Sequence, residues 1–108
     1  MGKRILEGIP VCGGVVMGQV KVITDSHHIS RVKPGDIMVV PRSHPWYAVG
    51  VMRAGGLICE EGAIICHICT VAKEMGIPCI TQAKNAVELM KTKDKIILNA
   101  NEGGVYDV

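Results

Sequence analysis

Glycine and proline cut this chain into short pieces. Gly13-Gly14, Pro34-Gly35, Gly55-Gly56, Gly76-Ile77-Pro78 and Gly103-Gly104 each interrupt an apolar run. Such pairs turn the backbone or end an element. The stretches between them have room only for short strands and short helices. Residues 15–24 alternate and are rich in β-branched side chains, which predicts a strand. Residues 27–33 are polar and irregular. Residues 37–40 predict a second strand, ended by Pro41. Pro45 suits the first position of a helix over 45–54, with Trp46, Val49 and the stem of Arg53 on one side. Residues 57–59 predict a short buried strand. The next helix spans 66–75, where Ile68, Val71, Ala72 and Met75 recur at three- and four-residue spacing. Gly76 suits a left-handed cap, Ile77 the apolar contact beyond it, and Pro78 the stop. Strands over 78–81, 95–99 and 105–108 and a short helix over 83–90 complete the reading. The expected fold class is α/β, with short mixed sheets and two to three helices in a single domain over 1–108.

At 108 residues the chain can bury roughly two-thirds of its unfolded surface, so it needs no metal or disulfide to fold. Phe is absent and aromatics make up 3%, so the core must come from Ile, Val, Leu, Met, Ala and Cys. The net charge is +2 and scattered. Lys91, Lys93 and Lys95, interrupted by Asp94, read as a solvated turn and not as a nucleic-acid patch. No apolar run approaches a membrane span, and the first residues lack the apolar stretch of a signal peptide. A soluble, cytoplasmic protein is expected. The five cysteines, Cys12, Cys59, Cys66, Cys69 and Cys79, are odd in number and sit in apolar runs, which fits buried free thiols in a reducing compartment.

The stretch from Glu60 to Thr81, EEGAIICHICTVAKEMGIPCIT, carries the chemistry. A strand ends, a glycine-containing loop follows, and His67 opens a helix. The first turn of a helix offers unpaired N–H groups and the positive end of the dipole. That field disfavours an imidazolium, so a neutral ring keeps a lone pair for attack on phosphorus. Once phosphorylated, the group is an anion at a natural anion site.

This stretch resembles the signature of the phosphohistidine swivelling domain of phosphoenolpyruvate-utilising enzymes, which include phosphoenolpyruvate synthase, pyruvate phosphate dikinase, enzyme I of the sugar phosphotransferase system and rifampicin phosphotransferase. Glu61, Gly62, Cys66, His67, Ala72, Glu74, Gly76, Ile77 and Pro78 fall in matching places. Gly8-Ile9-Pro10 through Gly13, Gly18-Gln19-Val20, residues 35–40, Pro45-Trp46, residues 54–58 and residues 94–106 resemble the rest of the domain. The resemblance implies a swivelling β/β/α fold and a phosphoryl carrier. In it His67 is phosphorylated, and Cys66 supports it in the place of the family's Ser or Cys. The carrier would shuttle between an ATP-grasp nucleotide-binding partner and a phosphoenolpyruvate/pyruvate-binding partner. Those partners would bind Mg²⁺ and ATP or phosphoenolpyruvate, and this domain would bind no cofactor. As the chain begins with Met1, a carrier working in trans is expected; if it is a fragment, the other domains belong to the same chain. Gly62, Ala63, Arg42 and Arg53 are candidate phosphate or partner contacts, the guanidinium groups because their fork suits phosphate.

Several positions depart from the family pattern. Ile65 replaces a Thr, Ala63 a second Gly, Ile68-Cys69 two small residues, Lys73 an Arg and Gln82 a Gly. Two other readings follow. One is a non-catalytic binding or regulatory module on the same fold. The other is a metal or redox site at Cys66-His67-Ile68-Cys69, with Cys79, Cys59 or a histidine of His27-His28 completing a metal. Cys69 is expected to pack inward, His27 and His28 to be solvated, and His44 to be structural. Trp46 is expected in the core or at an interface.

Overall fold

The computed structural model describes residues 2–63 and 66–108. Strands β1 (Arg4–Glu7), β2 (Ile9–Cys12) and β3 (Val15–Val22) lead into a 3₁₀ turn (Ser26–Arg31) and β4 (Ile37–Arg42). A second 3₁₀ turn (Pro45–Tyr47) runs into helix α1 (Ala48–Arg53), then β5 (Gly56–Glu61) and α2 (His67–Met75). Strand β6 (Cys79–Thr81), α3 (Ala86–Leu89), β7 (Lys95–Asn99) and β8 (Gly104–Asp107) follow. The strands form one sheet in the order β1-β8-β7-β3-β4-β5-β6-β2.

Strand β3 serves two pairings. Residues 15–19 run antiparallel to β7, and residues 20–22 run parallel to β4. The partner changes between Gln19 and Val20, and a Cβ on nearby Gly18 would collide with the Gly35 carbonyl. From β4 to β6 the strands are parallel. That parallel part is buried on both faces, so its strands read as continuous apolar runs. Met38, Val40, Leu57, Cys59 and Cys79 face a core shared with α1, α2 and the 3₁₀ turns. Ile37, Val39, Ile58 and Ile80 face a second core with α3, β7, β8 and Leu6 of β1.

Several expectations need correcting. Pro41 does not end β4, which continues to Arg42 and pairs Arg42 with Glu61. Pairing with β3 stops at Val39, so beyond it the missing proline N–H removes no bond on that side. The inward face of the first helix is formed by Tyr47, Gly50, Val51 and Ala54, while Trp46, Val49 and Met52 are exposed. A side chain at Gly50 would press on Met38 Sδ at 2.9 Å. Small size at that position lets the helix lie against β4. The helix expected over 83–90 contracts to Ala86–Leu89, because Gln82 and Asn85 take positive φ of 54° and 64°. Strands β1 and β2 had no pattern of their own. Gly8 and Pro10 break them, and they pair only at the two sheet edges, with β8 and β6.

The end of α2 matches its sequence. Gly76 is left-handed at φ 72°, its N–H bonds the Lys73 carbonyl at 3.2 Å, and the Ile77 N–H bonds the Ala72 carbonyl at 2.9 Å. These two bonds satisfy the last carbonyls of the helix. A Cβ at Gly76 would meet nothing within 4 Å, so Gly76→Ala is expected to cost about 1–2 kcal/mol through backbone conformation alone. The midpoint of urea unfolding should fall with its slope unchanged.

Candidate functional site

The site lies where β5 hands over to α2. β5 ends at Glu61, Cys66 is the N-cap of α2, and His67 is its first helical residue. The imidazole is exposed, whereas Ile68 and Cys69 behind it are fully buried. The buried pair anchors the first turn and leaves the ring on the outside. The first-turn amides have no acceptor within the helix, so the ring stands beside a concentration of donors.

Side chains from neighbouring strands fix this corner. Ser43 follows β4, and its Oγ accepts from the Ile68 N–H at 3.4 Å. Thr81 Oγ1, at the end of β6, donates to the Gly62 carbonyl at 3.0 Å. The Cys66 N–H donates to the Ala63 carbonyl at 3.0 Å. The Cys66 carbonyl accepts from the Thr70 N–H at 3.0 Å and from Thr70 Oγ1 at 3.1 Å. Glu60 Oε1 accepts from the Val87 N–H at 2.8 Å, tying the strand end to α3. Ser43→Ala removes a cap supplied from outside the helix. The bond is long, so a loss of about 0.5–1 kcal/mol is expected, read as a lower thermal midpoint.

The expected site residues separate into two groups. His67, Cys66, Gly62 and Ala63 meet at the β5–α2 junction. Gly62 and Ala63 line an open groove of about 830 Å³ with Glu60, Glu61, Gln82 and Lys84. Arg42 ends β4 in register with Glu61, so it is on the same edge as the junction. It lines a separate cavity of about 330 Å³ that includes Asp25, His27, His44 and Trp46. Arg53 is not brought to this end. It closes α1 at the opposite end of the strands, and its Nη2 donates to the Ile29 carbonyl at 3.4 Å. Ile65, where the family has Thr, lies outside the described residues.

The remaining histidines are distributed as their surroundings require. His27 is exposed and its Nδ1 lies 2.7 Å from Asp25 Oδ1. The His27 N–H also donates to that oxygen, which holds the Asp25 carboxyl below its usual range. His28 is half-buried. His44 caps the 3₁₀ turn by accepting from the Trp46 N–H at 3.2 Å, and its ring packs against the exposed Trp46 with centroids 4.1 Å apart and planes tilted by 47°. Ser43 and Thr81 had not been singled out in the sequence. The signal available was position: both follow or end parallel strands beside β5, at the edge where α/β sheets place their sites.

Among the described residues, no group of three or more His, Cys, Asp or Glu is placed to hold a metal ion. The cysteines are free thiols, with Cys59, Cys69 and Cys79 buried and Cys12 and Cys66 half-buried. No helix among the described residues is long and apolar enough to cross a membrane.

Solved structures share this architecture. The chain resembles aconitase X of Thermococcus kodakaraensis with a TM-score of 0.73 at 20% identity, covering 99% of both chains. It resembles a solution structure of Enzyme I with a TM-score of 0.62 at 18% identity, over 73% of this chain and 33% of that one. Both likenesses establish an α/β swivelling fold, with a mixed sheet of eight strands and three helices. Residues 32–103 match the family described as PEP-utilising enzyme, mobile domain, and the chain belongs to that family. Among its relatives are a probable phosphoenolpyruvate synthase of Methanothermobacter thermautotrophicus, 33% identical over 95% of this chain. The phosphoenolpyruvate synthases of Pyrococcus furiosus and Escherichia coli are 34% and 31% identical, each over 94% of this chain. The chain spans 15%, 12% and 13% of the length of those three relatives.

Proposed function

We propose that this chain is a phosphoryl carrier, transiently phosphorylated on His67. The observation that carries the reading is an exposed imidazole at the first position of α2, on a first turn fixed from behind by Ile68 and Cys69. A ring nitrogen attacks the phosphorus of a donor, the bond to the donor's leaving oxygen breaks, and the phosphoryl group remains on the nitrogen. Amide donors and the helix dipole stabilise the added charge. Transfer to an acceptor reverses the sequence. The donor side is a nucleotide-binding partner and the acceptor side a phosphoenolpyruvate/pyruvate-binding partner, or the reverse, acting in trans or as further domains of a longer protein. Mg²⁺, ATP and phosphoenolpyruvate belong to those partners. Membership in the mobile-domain family and the match to phosphoenolpyruvate synthases support this assignment.

Within the site, Cys66 shapes the helix start through its carbonyl. Gly62 and Ala63 give the loop a low profile, and Arg42 stands on the same sheet edge. The test is incubation of the chain with candidate partner proteins and labelled ATP or phosphoenolpyruvate. Label that is lost in acid and kept in base identifies a phosphohistidine. A module that keeps the fold without transfer takes up no label from any donor.

A further inference from the structure

Four of the five cysteines converge beneath the start of α2. Cys59 comes from β5, Cys66 and Cys69 from the N-cap and third position of α2, and Cys79 from β6. The Cys79 thiol donates to Cys69 Sγ at 3.8 Å. A Cβ placed on Gly62 would lie 3.4 Å from Cys59 Sγ and 3.5 Å from Cys66 Sγ, so both sulfurs lie beside the end of β5. Alternation along parallel strands accounts for the meeting. The register pairs Leu57 with Cys79, and Cys59, two residues on from Leu57, faces the same core. Three of these sulfurs are sealed: Cys59, Cys69 and Cys79 are fully buried. Cys66 alone in the cluster reaches solvent.

We infer that Cys66 and Cys69 form a reversible disulfide when the chain meets a hydroperoxide, Cys66 reacting first and Cys69 resolving. The two residues are three apart at a helix start, which puts their side chains on one face, and their thiols are direct neighbours. Their surroundings divide the roles. Burial pushes the Cys66 thiol up, and its contact with Cys69 adds to the rise. The Cys59 thiol donates to the Glu61 carbonyl at 3.0 Å, and the neighbouring thiols, Cys59 and Cys79 foremost, hold the Cys69 sulfur below its ordinary range. Cys69 is the enclosed partner, and Cys66 is the thiol an oxidant can reach. The Cys66 sulfur attacks one oxygen of the peroxide. The O–O bond breaks, giving a sulfenic acid on Cys66 and an alkoxide or hydroxide, which takes up the proton lost by the Cys66 thiol. Cys69 then attacks the Cys66 sulfur. The S–S bond forms, the S–O bond breaks, and the departing hydroxide takes the proton of the Cys69 thiol and leaves as water. In total, two thiols and one hydroperoxide give a disulfide, an alcohol (water, for hydrogen peroxide) and one water. The new bond brackets His67, so the redox state is registered at the same helix start.

The test uses the full chain treated with hydrogen peroxide. The expected result is loss of two of the five thiols, a Cys66–Cys69 crosslink by fragment mapping, and full recovery with dithiothreitol. Cys69→Ser should leave a sulfenic acid on Cys66 that dimedone captures, and Cys66→Ser should lose no thiols at the same peroxide dose. Cys12→Ser, outside the cluster, should lose two thiols as the parent chain does. The inference is overturned if Cys12 is the residue oxidised, if Cys66→Ser loses thiols at the parent rate, or if the crosslinks join separate chains. Purified protein carrying zinc, with its thiols inert to peroxide, overturns it as well. These readouts are chemical, so a negative result leaves phosphoryl transfer on His67 untouched.

Discussion

His67→Ala is expected to lower phosphoryl acceptance by at least ~1000-fold, to the background of the assay, because the nucleophile itself is removed. The same substitution should move stability by no more than about 0.5 kcal/mol. The ring is exposed and makes no side-chain hydrogen bond among the described residues, while the residues that seat the first turn are Ile68 and Cys69. Alanine is also well tolerated at a helix start. Far-ultraviolet circular dichroism and the thermal midpoint check the fold, and donor-dependent labelling checks the chemistry. His67→Gln tests the same point with a side chain that keeps bulk and polarity but offers no imidazole nitrogen. Acceptance that survives either variant places the phosphoryl group on another residue.

Leu57→Ala is expected to give the largest loss of stability. Leu57 is fully buried in β5, between β4 and β6, and faces the core shared with α1 and α2. Truncating a leucine in such a place loses its transfer energy and leaves a cavity, together about 2–5 kcal/mol. For a domain of this size that corresponds to a fall in Tm of at least ~10 °C. Met17→Ala is the control. Met17 is 63% exposed on β3, and its loss should change stability by less than about 0.5 kcal/mol. Equal effects at the two positions would mean that the β4–β6 layer is not the core.

The parts of the fold legible in the sequence are those fixed by local chemistry. α2 is the clearest case. Its apolar spacing, the left-handed Gly76 and Pro78 beyond it predict a helix over 66–75, and the structure has Cys66 as cap and residues 67–75 in the helix. β7 over 95–99 was legible for a similar reason, as a short apolar run between turns. What could not be read depends on partners distant in sequence. β1 and β2 exist because the two sheet edges accept them, and neither has alternation of its own. The direction of α1 was misjudged because size was taken as a guide to burial. Its inward face is set by the room above Met38, which only Gly50 leaves.

The site divides along the same line. His67, Cys66, Gly62 and Ala63 follow one another closely in the chain, so their meeting was visible in the motif. Ser43 reaches the Ile68 N–H only because parallel pairing aligns the ends of β4 and β5. Arg53 had the right chemistry for phosphate, but the crossover helix carries it to the far end of the strands. The Cys66–Cys69 pair was visible as a spacing. The arrival of Cys59 and Cys79 beneath it required the β5–β6 register.

The most direct test of the central claim is mapping of the phosphoryl group itself. The chain is mixed with a phosphoenolpyruvate synthase-type nucleotide-binding partner and labelled ATP, trapped at alkaline pH, and fragmented for mass spectrometry. The account predicts a single modified residue, His67, with a bond that survives base and is hydrolysed in acid. Phosphate on a serine, threonine or other histidine, or a bond stable to acid, would contradict it.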